Sequence, residues 1–535
     1  MTFKIKKNII CIICILSIVF VTQLPTQAAV IDIADQKLDN PYEVTTGINI
    51  NGTILPESID LPSSYSSVQY ATPARNQTYN DCWAYSAMSS FEILLNRNGI
   101  FDNYLSATHM NFFATTQSNS KGWIRNYHDA GREQIPMGYL TSWSGAKTER
   151  NFPHTTLYQN FDKLNAVTPI IASANSIIYL NGSDQNTIKT VIYKYGSAVS
   201  RHQDLSEFFN DSNSSYYCDD ETVPNSSLSN HMICVVGWDD NYDKSNFRED
   251  TQPTENGAWL CKNSRGEEWG NNGYFWISYE DKFLFSKSYG ISYAFMDYQL
   301  PDDNIKLYQN EIYGATCEFD YIDPADNNDI TYVNVFDFNN KYTVLDKINF
   351  ESTCQGSNYS IYYIPLDSSS VPNNDQSTWT CLYSGEIEYC GYISIDIDDF
   401  TVESGKGAIG INFKNNSSIG VCEWLSNSEG MVFIPETKAG DCYIMGLKEN
   451  PLDLMDFYDD DIGGTFVIKA IAKKLKGDVN GDGKMDIADA TAIQLYLASF
   501  IEFDENQIEA ADVDNDGTVS VLDVTKIQKI LAHLE

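Results

Sequence analysis

Gln77-Thr78-Tyr79-Asn80-Asp81-Cys82-Trp83-Ala84-Tyr85-Ser86 is the stretch on which the reading of this 535-residue chain turns. Two later segments complete it. One is His231-Met232-Ile233-Cys234-Val235-Val236-Gly237-Trp238-Asp239-Asp240; the other is Trp259-Leu260-Cys261-Lys262-Asn263-Ser264, with Trp269-Gly270 and Gly273-Tyr274-Phe275 close behind. Cysteine is nucleophilic as thiolate and needs a neighbouring imidazole to take its proton. The imidazole needs a side-chain carbonyl that fixes its tautomer, and Asn263 can supply one. Gln77 can donate its amide to an oxyanion that develops on a carbonyl under attack. Cys82, His231, Asn263 and Gln77 are therefore the candidate catalytic residues, and this chemistry requires no cofactor. From Asp81 to Leu95, apolar residues recur at helical spacing through Trp83, Ala87, Phe91 and Leu94. Cys82 is thus expected at a helix N-terminus, where the helix dipole favours thiolate. Met232–Val236 and Ala258–Cys261 read as strands.

In their order and spacing, with His231 149 residues after Cys82 and Asn263 32 further on, these segments resemble the papain-like cysteine peptidases, in particular their bacterial secreted branch. Leu61-Pro62-Ser63-Ser64-Tyr65, Tyr139-Leu140, Trp143-Ser144-Gly145 and Phe275-Trp276-Ile277-Ser278-Tyr279 extend the likeness over residues 61–297. The resemblance implies a two-lobed α+β fold that hydrolyses protein or peptide substrates. Four positions depart from the family pattern. Gln77 precedes the cysteine by five residues rather than six, Arg265 stands where the family has tryptophan, and Ala130 replaces one of two paired glycines beside Gly131. Asp81 adjoins the thiol and would oppose thiolate formation if its charge pointed at the sulfur. An alternative reading is a catalytically weakened papain fold that serves as a binding or surface-associated module.

The chain is too long for one core. Its 73 acidic against 35 basic residues, a net charge of −38, exclude nucleic acid and anionic membrane surfaces as partners. Lys4, Lys6 and Lys7 precede an apolar run from Ile9 to Val21, and Thr26-Gln27-Ala28 offers small residues for cleavage. Residues 1–28 thus read as a signal peptide; the apolar run of 13 residues is too short to span a bilayer comfortably, and no membrane span is expected after cleavage. The expected destination is extracellular, in a bacterium, associated with a scaffold or with the cell surface. Residues 29–60 read as a short extended leader. Ten cysteines follow the signal, with no zinc-like spacing among those from Cys317 to Cys442. Cys234 and Cys261 read as buried thiols.

Between 300 and 472 the texture changes to short Tyr-, Ile- and Val-rich runs between Asn/Asp/Ser/Gly turns, as in Thr331–Phe336, Tyr359–Ile364, Tyr392–Ile395 and Ala408–Asn412. That is the pattern of an all-β sandwich. Its position resembles the lectin-like module of related proteins; carbohydrate is a candidate ligand, without a motif of its own.

The last 60 residues hold a duplicated acidic loop. Asp478, Asn480, Asp482, Asp486 and Asp489 stand at positions 1, 3, 5, 9 and 12 of the first, with the carbonyl of Lys484 at position 7. Asp512, Asp514, Asp516, Ser520 and Asp523, with the carbonyl of Thr518, repeat the set 34 residues later. Oxygen donors at this spacing suit Ca2+, one ion per loop, and Gly483 and Gly517 permit the sharp turn. A helix follows each loop, and no full helix is read ahead of either. Such duplicated units, over residues 477–535, resemble a type I dockerin, whose partner is the cohesin domain of a scaffoldin in a cellulosome-like complex. In that family positions 10 and 11 help choose the partner; here they are Ile487-Ala488 and Val521-Leu522. The expected architecture is multidomain: an α+β papain-like two-lobed protease, an all-β sandwich and a small all-α calcium-binding dockerin.

Overall fold

The computed structural model describes residues 42–45, 53, 55 and 59–534, apart from 116–121, 155–164, 166, 221, 224–229, 322–328, 340, 403–404, 415–417, 424, 427–431, 437, 446–449 and 458–462. The signal segment lies outside the described residues. Cys82–Arg97 is a helix that buries every residue from Trp83 to Leu95. A helix apolar on all faces belongs inside a core, and this one packs against the partner strands through Phe91 on Phe295, their rings 5.2 Å apart. Gly131 lies so close to Trp83 that a Cβ there would sit 2.3 Å from the indole, which explains why glycine is needed at that point in the cleft wall.

The second lobe is an antiparallel sheet. Ala198–Gln203 pairs with Asn230–Asp239, which pairs with Ala258–Lys262 and then Tyr274–Ser278. The register sets His202 opposite His231 and Cys234 opposite Lys262. This sheet does not stop at residue 297. Through Ser173–Tyr179 it pairs with Gly391–Thr401, Ile177 opposite Tyr392 and Ile178 opposite Gly391, and so continues into strands Val344–Ser352 and Ile468–Lys473. A second junction joins Gly122–Ile124 to Val432–Ile434, with Trp123 against Phe433. The β region is therefore fused to the preceding α+β region by main-chain pairing at two places, and the pattern that marks it as a separate sandwich in the sequence does not disclose this. Its other layer is the sheet of Asp329–Phe338, Asn358–Ile364, Thr380–Glu386, Gly405–Lys414, Cys442–Met445 and Leu452–Asp453.

A buried ion pair lies inside the β region and a buried hydrogen bond crosses the first junction. Lys469 Nζ lies 2.8 Å from Glu311 Oε1, and both side chains are almost fully enclosed. Tyr179 of the α+β region donates its hydroxyl to Glu351 of the β region, whose carboxyl burial pushes up to about 7. Of the leader, Tyr42–Thr45 forms a strand on Cys317–Tyr321, and the Thr53 amide donates to Ser183 Oγ.

The C-terminal unit has its own small core of Val479, Ala490, Ile493, Ala511, Val513, Val524 and Ile527. Ile487–Leu497 and Val521–Leu531 are the helices after the loops, each opened by a capping box, Asp486 with Asp489 and Ser520 with Asp523. A seven-residue helix, Glu505–Ala511, precedes the second loop. The sequence reading placed none there; Asp504 and Gln507 cap it reciprocally. No helix among the described residues is long and apolar enough to cross a membrane, and all ten described cysteines are free thiols.

Candidate active site

His231 is 7% exposed, and its Nε2–H donates to Asn263 Oδ1 at 2.8 Å. The other ring nitrogen is left for Cys82, which stands half-buried at the start of its helix. Burial opposes ionisation of the thiol, but attraction and hydrogen bonding to His231, the Met232 amide and Arg201 hold it below the ordinary cysteine range. Burial likewise opposes the imidazolium, and Cys82, Asp204 and Asn263 together raise His231 above the usual histidine value. Each partner thus favours the charged form of the other, the condition for a thiolate–imidazolium pair. Asn263 is itself fixed: its Oδ1 also accepts the Ser264 amide at 2.8 Å, and its own amide donates to the Gly273 carbonyl at 2.9 Å.

Gln77 reaches the same corner. Its backbone amide donates to the Ser264 carbonyl at 2.8 Å, its Oε1 accepts the Ser264 hydroxyl, and its Nε2 gives a hydrogen to the Tyr79 carbonyl at 2.8 Å. The shortened loop is therefore tied to the Asn263 turn through both the backbone and the side chain of Gln77. Arg265, in the place of the family's tryptophan, forms an ion pair with Asp204 and lies over the Trp269 ring, 5.6 Å from its centroid. Asp81 does not face the sulfur; its Oδ2 accepts from Asn111 Nδ2 at 3.4 Å, inside a different cavity.

Several functional neighbours carry no sequence signal. His202 is buried beside His231, with ring centroids 5.8 Å apart, and burial pulls it down to about 3, so it is neutral. Arg201 is paired with Glu133 at 2.5 Å. Beneath the site, Glu92 of the nucleophile helix accepts from Arg75 at 2.7 Å and Thr72 at 2.6 Å, and Lys262 donates to Thr72 at 3.2 Å. Their roles depend on which strands meet, which spacing does not reveal.

In the C-terminal unit, one carboxylate oxygen from each of Asp512, Asp514 and Asp516 lies within 4.8 Å of the others. Asp478 accepts the amides of Gly481, Asp482 and Gly483, at 2.8 to 3.0 Å, which fixes the first loop in the same curled form. Hard oxygen donors crowded with uncompensated negative charge fit a calcium ion, which relieves their repulsion. Asp489 and Asp523, at position 12, are buried and accept loop amides. Beside the loops, Ile487, Val521 and Leu522 are 60 to 67% exposed and Ala488 is also exposed, a solvent-facing apolar surface repeated at each helix start.

Comparison with known proteins agrees with this geometry. The papain family cysteine protease profile matches residues 55–296, the lectin-like domain profile 307–472, and the dockerin type I domain profile 476–532. The crystal structure of the cysteine protease and lectin-like domains of Cwp84, a surface layer associated protein of Clostridium difficile, is 31% identical. It covers 79% of this chain and 91% of its own at a TM-score of 0.69. A structure of the same clostridial protease after propeptide cleavage is 32% identical, with coverage of 77% and 100% and a TM-score of 0.67. Rat (Rattus norvegicus) cathepsin J is 26% identical over 262 residues, 45% of this chain and 71% of its own. The chain belongs to the papain family of cysteine proteases and carries a lectin-like domain and a type I dockerin behind its peptidase fold.

Proposed function

We propose that this protein is a secreted cysteine endopeptidase that works through Cys82, His231 and Asn263 and is held by its dockerin on a cohesin-bearing scaffoldin. The observation that carries the reading is His231 set between Cys82 and Asn263, with thiol and imidazole shifted toward their charged forms. The Cys82 thiolate attacks the peptide carbonyl and forms the C–S bond. The oxyanion takes hydrogen bonds from the Cys82 backbone N–H and from the second Nε2 hydrogen of Gln77, the first being given to Tyr79. His231 passes its proton to the leaving amine as the C–N bond breaks. Water, deprotonated by His231, then splits the thioester and restores the thiolate–imidazolium pair. Asn263 keeps the imidazole oriented throughout.

The alternative of a weakened, binding-only papain fold draws on the short Gln77–Cys82 loop, but that loop is anchored to Ser264 and the ion pair is supported by Arg201 and Asp204. Asp478, Asn480, Asp482, Asp486 and Asp489, and their counterparts from Asp512 to Asp523, would hold two calcium ions; bound calcium fixes the loops and so sets the spacing of the helices. Ile487, Ala488, Val521 and Leu522 are the proposed cohesin contacts. Hydrolysis of a denatured protein substrate tests the enzyme reading: the wild type should cleave it, and Cys82→Ala and His231→Ala should not. Equal turnover by wild type and Cys82→Ala would refute it.

A further inference from the structure

Asp81, the residue before Cys82, lines a cavity of about 30 Å³ together with Tyr79, Thr108, Asn111, Phe112, Tyr127 and His154. Its floor is Asp81, 1% exposed, whose Oδ1 is buried and accepts no hydrogen bond, while Oδ2 has the long 3.4 Å contact from Asn111. A buried carboxylate oxygen without a donor is unfavourable, and a cation that enters the cavity removes the penalty. Burial holds the Asp81 carboxyl above the ordinary carboxylate range, and His154 and Arg125 draw it back toward its charged form. Arg125 donates to Asn111 Oδ1 at 2.8 Å and to the Asp129 and Ala130 carbonyls, and lies over Trp83. His154 is held by the Thr78 hydroxyl.

The walls are aromatic. Tyr79 meets Tyr127 edge-on at 5.2 Å, and Phe112 stacks on Tyr127 at 5.4 Å; Tyr79, Phe112, Tyr127, Thr108 and His154 are half-buried and form the rim. Aromatic faces attract cations. About 10–15 Å³ suffices for one water-sized group, so the cavity admits an ammonium, a compact charge with three donors, more readily than the broad planar fork of a guanidinium.

The place of the cavity says where the cation comes from. Tyr79 and Asp81 lie in the chain between Gln77 and Cys82, the two residues that flank the carbonyl under attack. On the Cys82 reading above, the residue that bears this carbonyl would lie against the Tyr79–Asp81 segment. We infer that the cavity is a subsite for a lysine side chain of the substrate, at the position whose carbonyl is attacked, with Asp81 as counter-charge and Tyr79 and Tyr127 as walls. This rests on the Cys82 reading above.

The test compares two peptides that differ only in lysine or norleucine before the scissile bond, equal in length but not in charge, together with the acetyl-lysine form. Lysine should give a kcat/KM about tenfold or more above norleucine, as for a charge-assisted contact, and acetylation should abolish the advantage. Asp81→Asn should bring the lysine-to-norleucine ratio toward one. Equal rates for lysine and norleucine in the wild type, an advantage that survives acetylation, or an unchanged ratio in a folded Asp81→Asn would overturn the subsite. If Asp81→Asn does not fold, the acetylation result on the wild type decides. Hydrolysis of neither peptide overturns the catalytic reading and the subsite with it; equal hydrolysis of both overturns the subsite alone.

Discussion

Replacing Asn263 by alanine should lower the upper pH limit of activity by about one unit, and the size of the effect follows from one hydrogen bond. Asn263 Oδ1 accepts the Nε2–H of His231 at 2.8 Å, with both residues buried. A bond from a charged donor contributes about 1.5–3 kcal/mol and one from a neutral donor about 0.5–1.5. The difference, about 1–1.5 kcal/mol, is what Asn263 gives the imidazolium over the imidazole, and about 1.4 kcal/mol corresponds to one pKa unit. Asn263 raises His231, so its loss lets the imidazolium release its proton at lower pH and the thiolate–imidazolium pair fails earlier on the alkaline side. Asn263→Asp should act with the opposite sign, since a carboxylate favours the imidazolium more strongly than an amide. The assay is kcat/KM against pH, alongside the pH dependence of Cys82 alkylation by iodoacetamide. An unshifted alkaline limb in Asn263→Ala would refute the reasoning. So would shifts of the same sign in both variants, because a purely structural defect does not distinguish them.

Glu351 titrates near 7 in the fold, above the ordinary carboxylate value. The folded state therefore keeps a proton that the unfolded chain releases, and stability should fall as pH rises from about 4.3 through about 7. Melts between about pH 5 and about pH 8 should show that decline, and Glu351→Gln should flatten it. Lys469→Ala leaves Glu311 buried without its 2.8 Å partner and should destabilise the chain by about 3–5 kcal/mol, read by denaturant titration. Asp514→Ala removes one of the three converging carboxylates, and calorimetric titration should show two calcium ions per chain reduced to one. Leu522→Asp, at a position 60% exposed, should weaken cohesin capture and leave calcium binding intact, which the same titration checks.

The sequence discloses groups whose partners are local. The proposed calcium ligands fall within two twelve-residue loops, and the helix at Cys82 follows from apolar spacing in one turn after another. Cys82, His231 and Asn263 are far apart in the sequence, yet each sits in a local context specific enough to single it out, and the fold brings the three together. Pairings that arise only when distant strands meet have no such trace. His202 becomes a neighbour of His231 through strand register. Asp204 meets Arg265 across 61 residues, so the sequence shows a missing tryptophan but not the ion pair that stands in its place. The alternation between 300 and 472 announces a sandwich, but not that Gly391 and Tyr392 hydrogen-bond to the protease sheet at Ile178 and Ile177. The charge of Asp81 is visible in the sequence; its direction, into the Tyr79–Tyr127 cavity, is fixed by Asn111 and the helix turn.

The most direct test of the account is alkylation of the full-length protein at neutral pH by an epoxide inhibitor selective for papain-type thiolates, with mass mapping of every cysteine. The account predicts fast modification of Cys82 alone, lost in His231→Ala, while buried thiols such as Cys234 and Cys261 stay unmodified. Slow labelling of Cys82, or labelling at the same rate in His231→Ala, would contradict the claim that these two residues form an activated pair.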